Sequence, residues 1–289
     1  MKVLVTGARG QLGRTLLANA PPGWQMSGTD RMQLDIADAN HVNAVVTQEQ
    51  PDVVINTAAY SAVDLAETNV SDAQRVNVSG VANLARAAGA AGARLVHLST
   101  DFVFDGQATQ PYPPDAEPHP LGAYGHSKRD GEEQVRSMLA DRSVILRTAW
   151  LYSEFGGNFV HTMLRLLREK ETLNVVSDQV GSPTWARSLA DVIFAFVARP
   201  ELAGTYHWTD AGQTTWYDFA CAIQEEAVDL GLVASSTTIH PVSSGDYGAP
   251  ATRPAYSVLD CSATARDLDI RQVPWRDNLR RMLEASRTQ

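Results

Sequence analysis

Short apolar runs and longer segments with helical periodicity alternate along the first half of the chain. The apolar runs are typical of strands buried on both faces of a parallel sheet, and they lie at residues 2–6, 25–30, 52–56, 94–98 and 143–147. The segments between them predict helices that begin near residue 14 and cover 38–48, 71–92 and 124–139. This alternation predicts an α/β fold, with a doubly wound parallel sheet and helices on both faces.

The pattern changes after Trp150. Strands are expected at 173–176, 204–208 and 237–242, and helices at 158–170, 185–198, 214–230 and 274–286, with Thr214 as the N-cap of the third helix. These elements predict a second, smaller and mixed α/β domain. We therefore expect a division into residues 1–150 and 151–289, with some segments of the second part returning to the first.

A glycine-rich turn joins the first strand to the first helix. Gly7, Gly10 and Gly13 form a GxxGxxG pattern rather than the GxGxxG of the dehydrogenase fingerprint. Glycines let a backbone approach a ligand closely, and the unpaired N–H groups of a helix N-terminus bind phosphate. Asp30 fits the acid that binds a ribose 2′-hydroxyl, which favours NADH, whereas Arg31 could receive the 2′-phosphate of NADPH. The turn thus predicts a Rossmann-type site for NADH or NADPH.

Tyr124 and Lys128 are four residues apart in a predicted helix, so they lie on one face, one turn apart. The chain has only three lysines, which makes this spacing rare by chance. A nearby ammonium lowers the pKa of a phenol, and such a phenol can donate a proton to a carbonyl oxygen. The alternative is an ordinary exposed pair on a helix surface.

The residues with chemical potential follow the ends of predicted strands. Gly7, Asp30, Ala58, Thr100 and Trp150 all stand at such ends, and ligands of parallel sheets bind beyond the carboxyl ends of the strands. A Pro- and Gly-rich loop, 104–120, leads from Thr100 towards the Tyr124 helix, and loops of this length are usually functional.

Asn77 lies inside the predicted 71–92 helix. It either occupies the helix surface or holds a water molecule or a backbone group behind the site.

Composition excludes several classes of protein. The net charge is −9 and the pI about 5.2, which disfavours general binding to nucleic acids or anionic membranes. Cys221 and Cys261 form no CxxC pair, and no HExxH motif occurs, so neither a metal site nor a disulfide framework is expected. No signal-peptide pattern and no apolar run near ~18 residues is present. We expect a cytoplasmic protein without a membrane span.

Several strings carry a resemblance to a known family. The glycine-rich turn, Thr100–Asp101 and the Tyr124–Lys128 spacing resemble the extended short-chain dehydrogenases/reductases. Fuller strings at 56–64, 99–106, 147–152 and 178–184 resemble, within them, the dTDP-4-dehydrorhamnose reductases. The resemblance runs from residue 1 to about 281. It implies reduction by NADH or NADPH of the C4 ketone of a dTDP-6-deoxy-hexulose, here dTDP-4-dehydro-L-rhamnose to dTDP-L-rhamnose.

The resemblance also implies roles for individual residues. Tyr124 is the expected proton donor, and Lys128 lowers its pKa and holds the nicotinamide ribose. Thr100, with Asp101 beside it, bonds the substrate oxygen, and Trp150 contacts the sugar. The cofactor is expected to contact Tyr124, Lys128 and the following residues: Gly7, Gly10, Gln11, Leu12, Gly13, Asp30, Asp35, Ile36, Ala58, Ala59 and Tyr60.

One departure concerns assembly. Some members of the family form a magnesium-bridged dimer through glutamates, and the corresponding positions hold Thr15 and Arg187. We therefore expect no structural magnesium and a monomer. Two other functions stay open: a 4-ketoreductase for another nucleotide-deoxysugar, and a non-catalytic regulatory subunit of the same fold.

Overall fold

The computed structural model describes residues 1–234 and 237–287. The strands are β1 Lys2–Thr6, β2 Gln25–Thr29, β3 Val53–Asn56, β4 Arg94–Thr100, β5 Ser143–Thr148, β6 Leu151–Tyr152, β7 Thr172–Val176, β8 Val180–Gly181, β9 Thr184–Trp185, β10 Gly204–His207, β11 Thr214–Thr215 and β12 Thr238–Val242. The helices are α1 Gln11–Ala18, α2 Ala39–Glu49, α3 Val63–Ala66, α4 Val70–Gln74, α5 Val81–Ala91, α6 Ala123–Leu139, α7 Phe159–Glu169, α8 Ala186–Val197, α9 Trp216–Asp229, α10 Ser244–Tyr247, α11 Ser262–Leu268 and α12 Trp275–Ser286.

Six parallel strands form the central sheet, in the order β10-β5-β4-β3-β1-β2. The chain winds in opposite directions on the two sides of the β1/β3 boundary, so the carboxyl ends of these two strands border a crevice. The predicted Rossmann-type, doubly wound α/β sheet is confirmed.

Apolar side chains on the two faces of the sheet build two separate cores. In β1, Val3 and Val5 face one layer and Leu4 faces the other, as the alternation of a strand requires. The first layer contains α1 and α8, and the second contains α2, α5 and α6. A third apolar cluster joins α7, α9 and α12, which all come from the second half of the chain.

Strand β10 is a segment of the second half that returns to the first. It pairs in parallel with β5 and forms the edge of the central sheet. His207, at its end, is fully buried and lies 3.3 Å from the guanidinium of Arg147 and 3.0 Å from the carbonyl oxygen of Tyr112. Burial and Arg147 lower the pKa of His207 to about 3, so the imidazole is neutral.

Some local predictions were wrong. The predicted 71–92 helix is interrupted by a π-helical segment at Arg75–Gly80. The N-cap of α9 is Thr215, not Thr214, because the Thr215 hydroxyl accepts the N–H of Asp218. No strand was predicted within 178–184, yet this segment contains β8 and part of β9. The short helices α10 and α11 were not predicted, since too few residues repeat the apolar pattern. Among the described residues, none of the helices is long and apolar enough to span a bilayer.

Candidate active site

The glycine-rich turn forms a cradle made of backbone. Gly7 has a φ of +73°, and a Cβ added to it would lie 2.7 Å from the backbone nitrogen of Ala58. A Cβ on Gly13 would lie 2.4 Å from the Gly7 carbonyl oxygen. Only glycine fits either position, so the turn presses against the end of β3 and exposes N–H groups at the start of α1. This arrangement fits a dinucleotide pyrophosphate.

Asp30 follows β2 at the rim of this cradle. Its buried carboxylate accepts the N–H groups of Met32 and Gln33, at 2.8 and 3.0 Å, and pairs with the Arg9 Nε at 2.6 Å. The side chains of Arg9 and Arg31 are largely exposed, 83% and 75%. An acid and two exposed cations thus lie together, which suits a ribose with a 2′-hydroxyl or a 2′-phosphate.

Asn77 connects the loop at Tyr60, which follows β3, to α6, the helix that carries Tyr124. Its Oδ1 accepts the N–H of Tyr60 at 2.8 Å, and its Nδ2 donates to the Tyr60 carbonyl oxygen and to the Ser127 hydroxyl, at 3.0 and 2.9 Å. Asn77 lies in the π-helical segment, and its buried side chain reaches both the backbone of Tyr60 and the hydroxyl of Ser127. Such segments occur frequently at functional sites. Of the two expectations for Asn77, the structure bears out the one in which it holds a backbone group.

The four residues predicted to be catalytic lie together. Thr100 and Asp101 end β4, and the Thr100 hydroxyl donates to the Asp101 carboxylate at 3.1 Å and also hydrogen-bonds with the phenol of Tyr124. Lys128 lies one turn further along α6, and its Nζ donates to the Leu98 carbonyl oxygen at 2.6 Å. Thr100, Asp101 and Lys128 are buried, whereas Tyr124 is half-buried and faces the cleft.

The protonation behaviour differs from the sequence expectation. Burial, with the charge of Asp101, raises the pKa of Tyr124 to about 12, and the Thr100 hydrogen bond opposes the shift. The predicted lowering by Lys128 is wrong in this structure, because burial dominates the pKa of Tyr124; the Lys128 ammonium donates to the Leu98 carbonyl oxygen. Burial lowers the pKa of Lys128 to about 8, against the charge of Glu132. Burial also raises the pKa of Asp101 to about 6.

A cleft of about 750 Å³ connects these groups. It is lined by every predicted catalytic, cofactor and substrate residue except Gly13, which packs beneath the turn. Gln11 also reaches the second half of the chain, since its Oε1 accepts the Ser153 hydroxyl and the Asn158 amide, each at 3.1 Å.

Several of the lining residues had no assigned role in the sequence, and two of them belong to a second cavity as well. Trp216 and Arg253 line both this cleft and an adjoining, mainly apolar pocket of about 510 Å³. The guanidinium of Arg253 donates to Asp64 at 2.9 Å and to the Ala251 carbonyl oxygen at 3.1 Å. Neither belongs to a spaced motif, so only the fold could reveal them.

A buried ionic cluster behind the cleft was also missed. The Glu132 carboxylate accepts two bonds from Arg147, at 2.8 and 2.7 Å, and further bonds from Arg136 and Ser99. Burial raises the pKa of Glu132, but Arg147 and the other donors more than offset it, so the pKa lies below its usual value. In the sequence, the cluster was indicated by the four-residue spacing of Lys128 and Glu132, which places the two side chains on one face of the helix.

The two positions considered for magnesium do not carry carboxylates. The Thr15 side chain is buried and its hydroxyl donates to the Gln11 carbonyl oxygen at 2.9 Å, and Arg187 pairs with Asp191 at 3.2 Å. Within residues 1–234 and 237–287, no group of three or more His, Cys, Asp or Glu side chains could hold a metal ion.

Known proteins match this chain over most of their length. The family model described as RmlD substrate binding domain matches residues 1–288. A dTDP-4-dehydrorhamnose reductase of Aggregatibacter actinomycetemcomitans is 39% identical over 96% of this chain and 97% of its own. A dTDP-4-keto-6-deoxy-D-glucose reductase of Streptomyces niveus is 42% identical over 89% and 87%. The crystal structure of dTDP-4-dehydrorhamnose reductase from Bacillus anthracis in complex with NADP has a TM-score of 0.93 and 37% identity, and covers 98% of this chain and 99% of that one. The chain therefore belongs to the RmlD family of dTDP-4-dehydrorhamnose reductases, within the extended short-chain dehydrogenases/reductases, and is an NAD(P)H-dependent oxidoreductase.

Proposed function

We propose that the chain reduces the C4 ketone of dTDP-4-dehydro-L-rhamnose to dTDP-L-rhamnose, with Tyr124 as the proton donor. The observation that carries the proposal is the convergence of Thr100, Tyr124 and Lys128 in one cleft with the glycine-rich cradle and Trp150. A bound NADH or NADPH supplies the hydride.

The proton has a clear source in this arrangement. As the carbonyl carbon gains the hydride, its oxygen becomes an alkoxide and takes the proton of Tyr124. A phenol with a pKa of about 12 stays protonated through neutral pH, and an alkoxide is the stronger base. The Thr100 hydroxyl orients the phenol, and on substrate binding it would turn its proton from the Asp101 carboxylate to the substrate oxygen. Lys128, still largely an ammonium near pH 7, holds the nicotinamide ribose.

The adjoining pocket suits the nucleotide part of the substrate. Its walls are mainly apolar, and Trp216 and Arg253 stand where it meets the cleft. A thymine in this pocket and a sugar against Trp150 would place the diphosphate beside the Arg253 guanidinium. In this proposal residues 1–150 bind the dinucleotide, and residues 151–289 mainly bind the sugar nucleotide.

The proposal also covers the partners, the cellular compartment and the oligomeric state of the protein. A net charge of −9 disfavours nucleic-acid partners. Free cysteines, Cys221 and Cys261, fit a reducing compartment, so we place the protein in the cytoplasm. Thr15 and Arg187 offer no carboxylate for a magnesium bridge, which supports a monomer.

The test uses the purified protein, dTDP-4-dehydro-L-rhamnose made in situ by the preceding epimerase, and both reduced cofactors. The Tyr124→Phe variant should lose about 10²–10⁴-fold in turnover, whereas its dissociation constant for NADPH should stay within about twofold of the parent. Tyr206→Phe, in β10 and outside the cleft, is the matched control. Unchanged turnover of Tyr124→Phe would refute the proton-donor role.

A second candidate is a 4-ketoreductase for another dTDP-deoxysugar, favoured by the name of the Streptomyces niveus relative. The two candidates differ in the sugar and in the configuration of the new alcohol, so NMR of the product separates them: a C4 epimer of rhamnose would replace the first candidate by the second. No turnover of any 4-keto sugar would favour a non-catalytic subunit, against which the intact Thr100–Tyr124 hydrogen bond argues.

A further inference from the structure

The indole of Trp150 is fixed by two residues that lie far from it in the sequence. It stacks on the indole of Trp216, with ring centroids 3.6 Å apart and an interplanar angle of 10°. Gly181 lies against the same ring, because a Cβ added there would be 2.6 Å from Trp150 Cε2 and 2.8 Å from its Nε1. There is therefore no room for a side chain at position 181 while the indole keeps its place.

The backbone of Trp150 adds a reason for this support. Its φ is +45°, in the left-handed region that bulky residues rarely adopt. Such a conformation persists only where its surroundings over-determine it. Here the Trp150 carbonyl oxygen accepts the N–H of Thr184 at 3.2 Å, and the side chain is stacked as described. The turn after β5 thereby directs the indole into the cleft.

Trp216 is itself fixed by contacts with other aromatic rings. Its ring packs against Phe159, with centroids 4.6 Å apart, and against Phe219, at 6.4 Å. Trp216 is the first residue of α9, a helix whose apolar side chains belong to the third apolar cluster and not to the cores of the central sheet. The position of Trp150 is thus set by the third apolar cluster, although Trp150 lies only two residues after β5 of the central sheet.

We infer that Trp216 and Gly181 are positioning residues that hold the plane of the Trp150 indole for the sugar ring of the substrate. The inference rests on the proposed function for the identity of the sugar. A fixed, flat indole orients a pyranose relative to Tyr124 without loss of side-chain freedom on binding. Trp216 acts through Trp150, although it also lines the adjoining pocket.

Gly181→Ala gives the sharpest test, because Gly181 lines neither cavity and its φ is not in the left-handed region. The added methyl group displaces the indole and should raise the KM for the sugar nucleotide at least about tenfold, with a smaller change in kcat and an unchanged dissociation constant for NADPH. Gly157→Ala is the matched control, since no atom lies within 4 Å of its added Cβ. An unchanged KM in Gly181→Ala would overturn the inference.

A double-mutant cycle tests whether Trp216 acts through Trp150. Trp216→Ala should raise KM as Gly181→Ala does, and Trp216→Phe should recover most of the loss. In a Trp150→Ala background, Trp216→Ala should change KM less than about twofold, because coupled residues are not additive. Full additivity would show that Trp216 binds substrate by itself and would overturn the positioning role.

Near-ultraviolet circular dichroism supplies a readout that does not depend on turnover. Gly181→Ala and Trp216→Ala should both weaken the tryptophan bands while Gly157→Ala leaves them unchanged, and intact bands in the first two would refute the support of Trp150. If the parent does not reduce the proposed sugar, the proposed function fails and this spectroscopic comparison still decides the inference.

Discussion

Two buried carboxylates flank the same end of β4, and they behave in opposite ways. Asp101 and Glu132 are both almost fully buried, at 2% and 0% exposure. Both Glu132 oxygens accept bonds from arginines or Ser99. One oxygen of Asp101 accepts the Thr100 hydroxyl and the other has no donor among the described residues within hydrogen-bond distance, so Ser257 and Thr100 lower the pKa of this carboxyl by less than burial raises it. The pKa of Glu132 is lowered, whereas that of Asp101 is raised to about 6.

The difference shows that burial alone does not decide the state of a carboxyl group. Desolvation disfavours the charge of both, and only the donors around each one set the outcome. Glu132 is saturated and ties α6 to β4 and β5, so it has no capacity left for a ligand. Asp101 keeps an unpaired oxygen beside Thr100 and Tyr124, which is typical of a site where chemistry takes place.

The largest effect is expected from the saturated carboxylate. Glu132→Ala leaves the buried Arg147 guanidinium without its partner, and loss of one member of such a pair costs about 3–5 kcal/mol in the free energy of unfolding. Urea titration measures this loss. Glu133→Ala, on the same helix with its side chain 68% exposed, is the control and should change stability by less than about 0.5 kcal/mol. Equal losses in the two variants would contradict the comparison.

The opposite sign is expected for Asp101→Asn. The Asp101 carboxyl has a pKa of about 6 in the fold, against an ordinary value of 3.8, so the native state binds more protons between these two values and its stability falls as pH rises through them. The variant lacks this penalty and should gain up to about 3 kcal/mol at pH 7, a gain that vanishes near pH 4. Turnover should fall. Denaturation at both pH values checks the prediction, and a pH-independent difference would refute it.

A smaller effect is expected from the charge state of Lys128. Its pKa of about 8 predicts that kcat/KM falls about tenfold for each pH unit above that value. Glu132 raises the pKa of Lys128, so Glu132→Gln should move this alkaline limb to lower pH, whereas Glu133→Gln should not. An alkaline limb that lies above pH 10 in the parent would contradict the assignment.

The sequence predicted those features that depend on short spacing. The strand–turn–helix order, the glycine-rich turn and the Tyr124–Lys128 pair follow from neighbours a few residues apart, whereas most of the other predicted cleft residues were implied by the resemblance to the family. The pKa of Tyr124 could not be predicted, because burial and the direction of the Lys128 ammonium depend on the packed fold. Partners such as Arg147 for Glu132, or Trp216 for Trp150, come from distant segments that no periodicity connects.

Strand β10 has a consequence for how the protein is made on the ribosome. Until Gly204–His207 has emerged, β5 is the open edge of a parallel sheet, with its N–H and C=O groups unpaired and Arg147 without its contact to His207. Such an edge can pair with other chains. A fragment that ends at residue 150 should therefore aggregate, and the nascent chain depends on β10 to pair with β5 and on α8 to cover the sheet that carries the cofactor cradle.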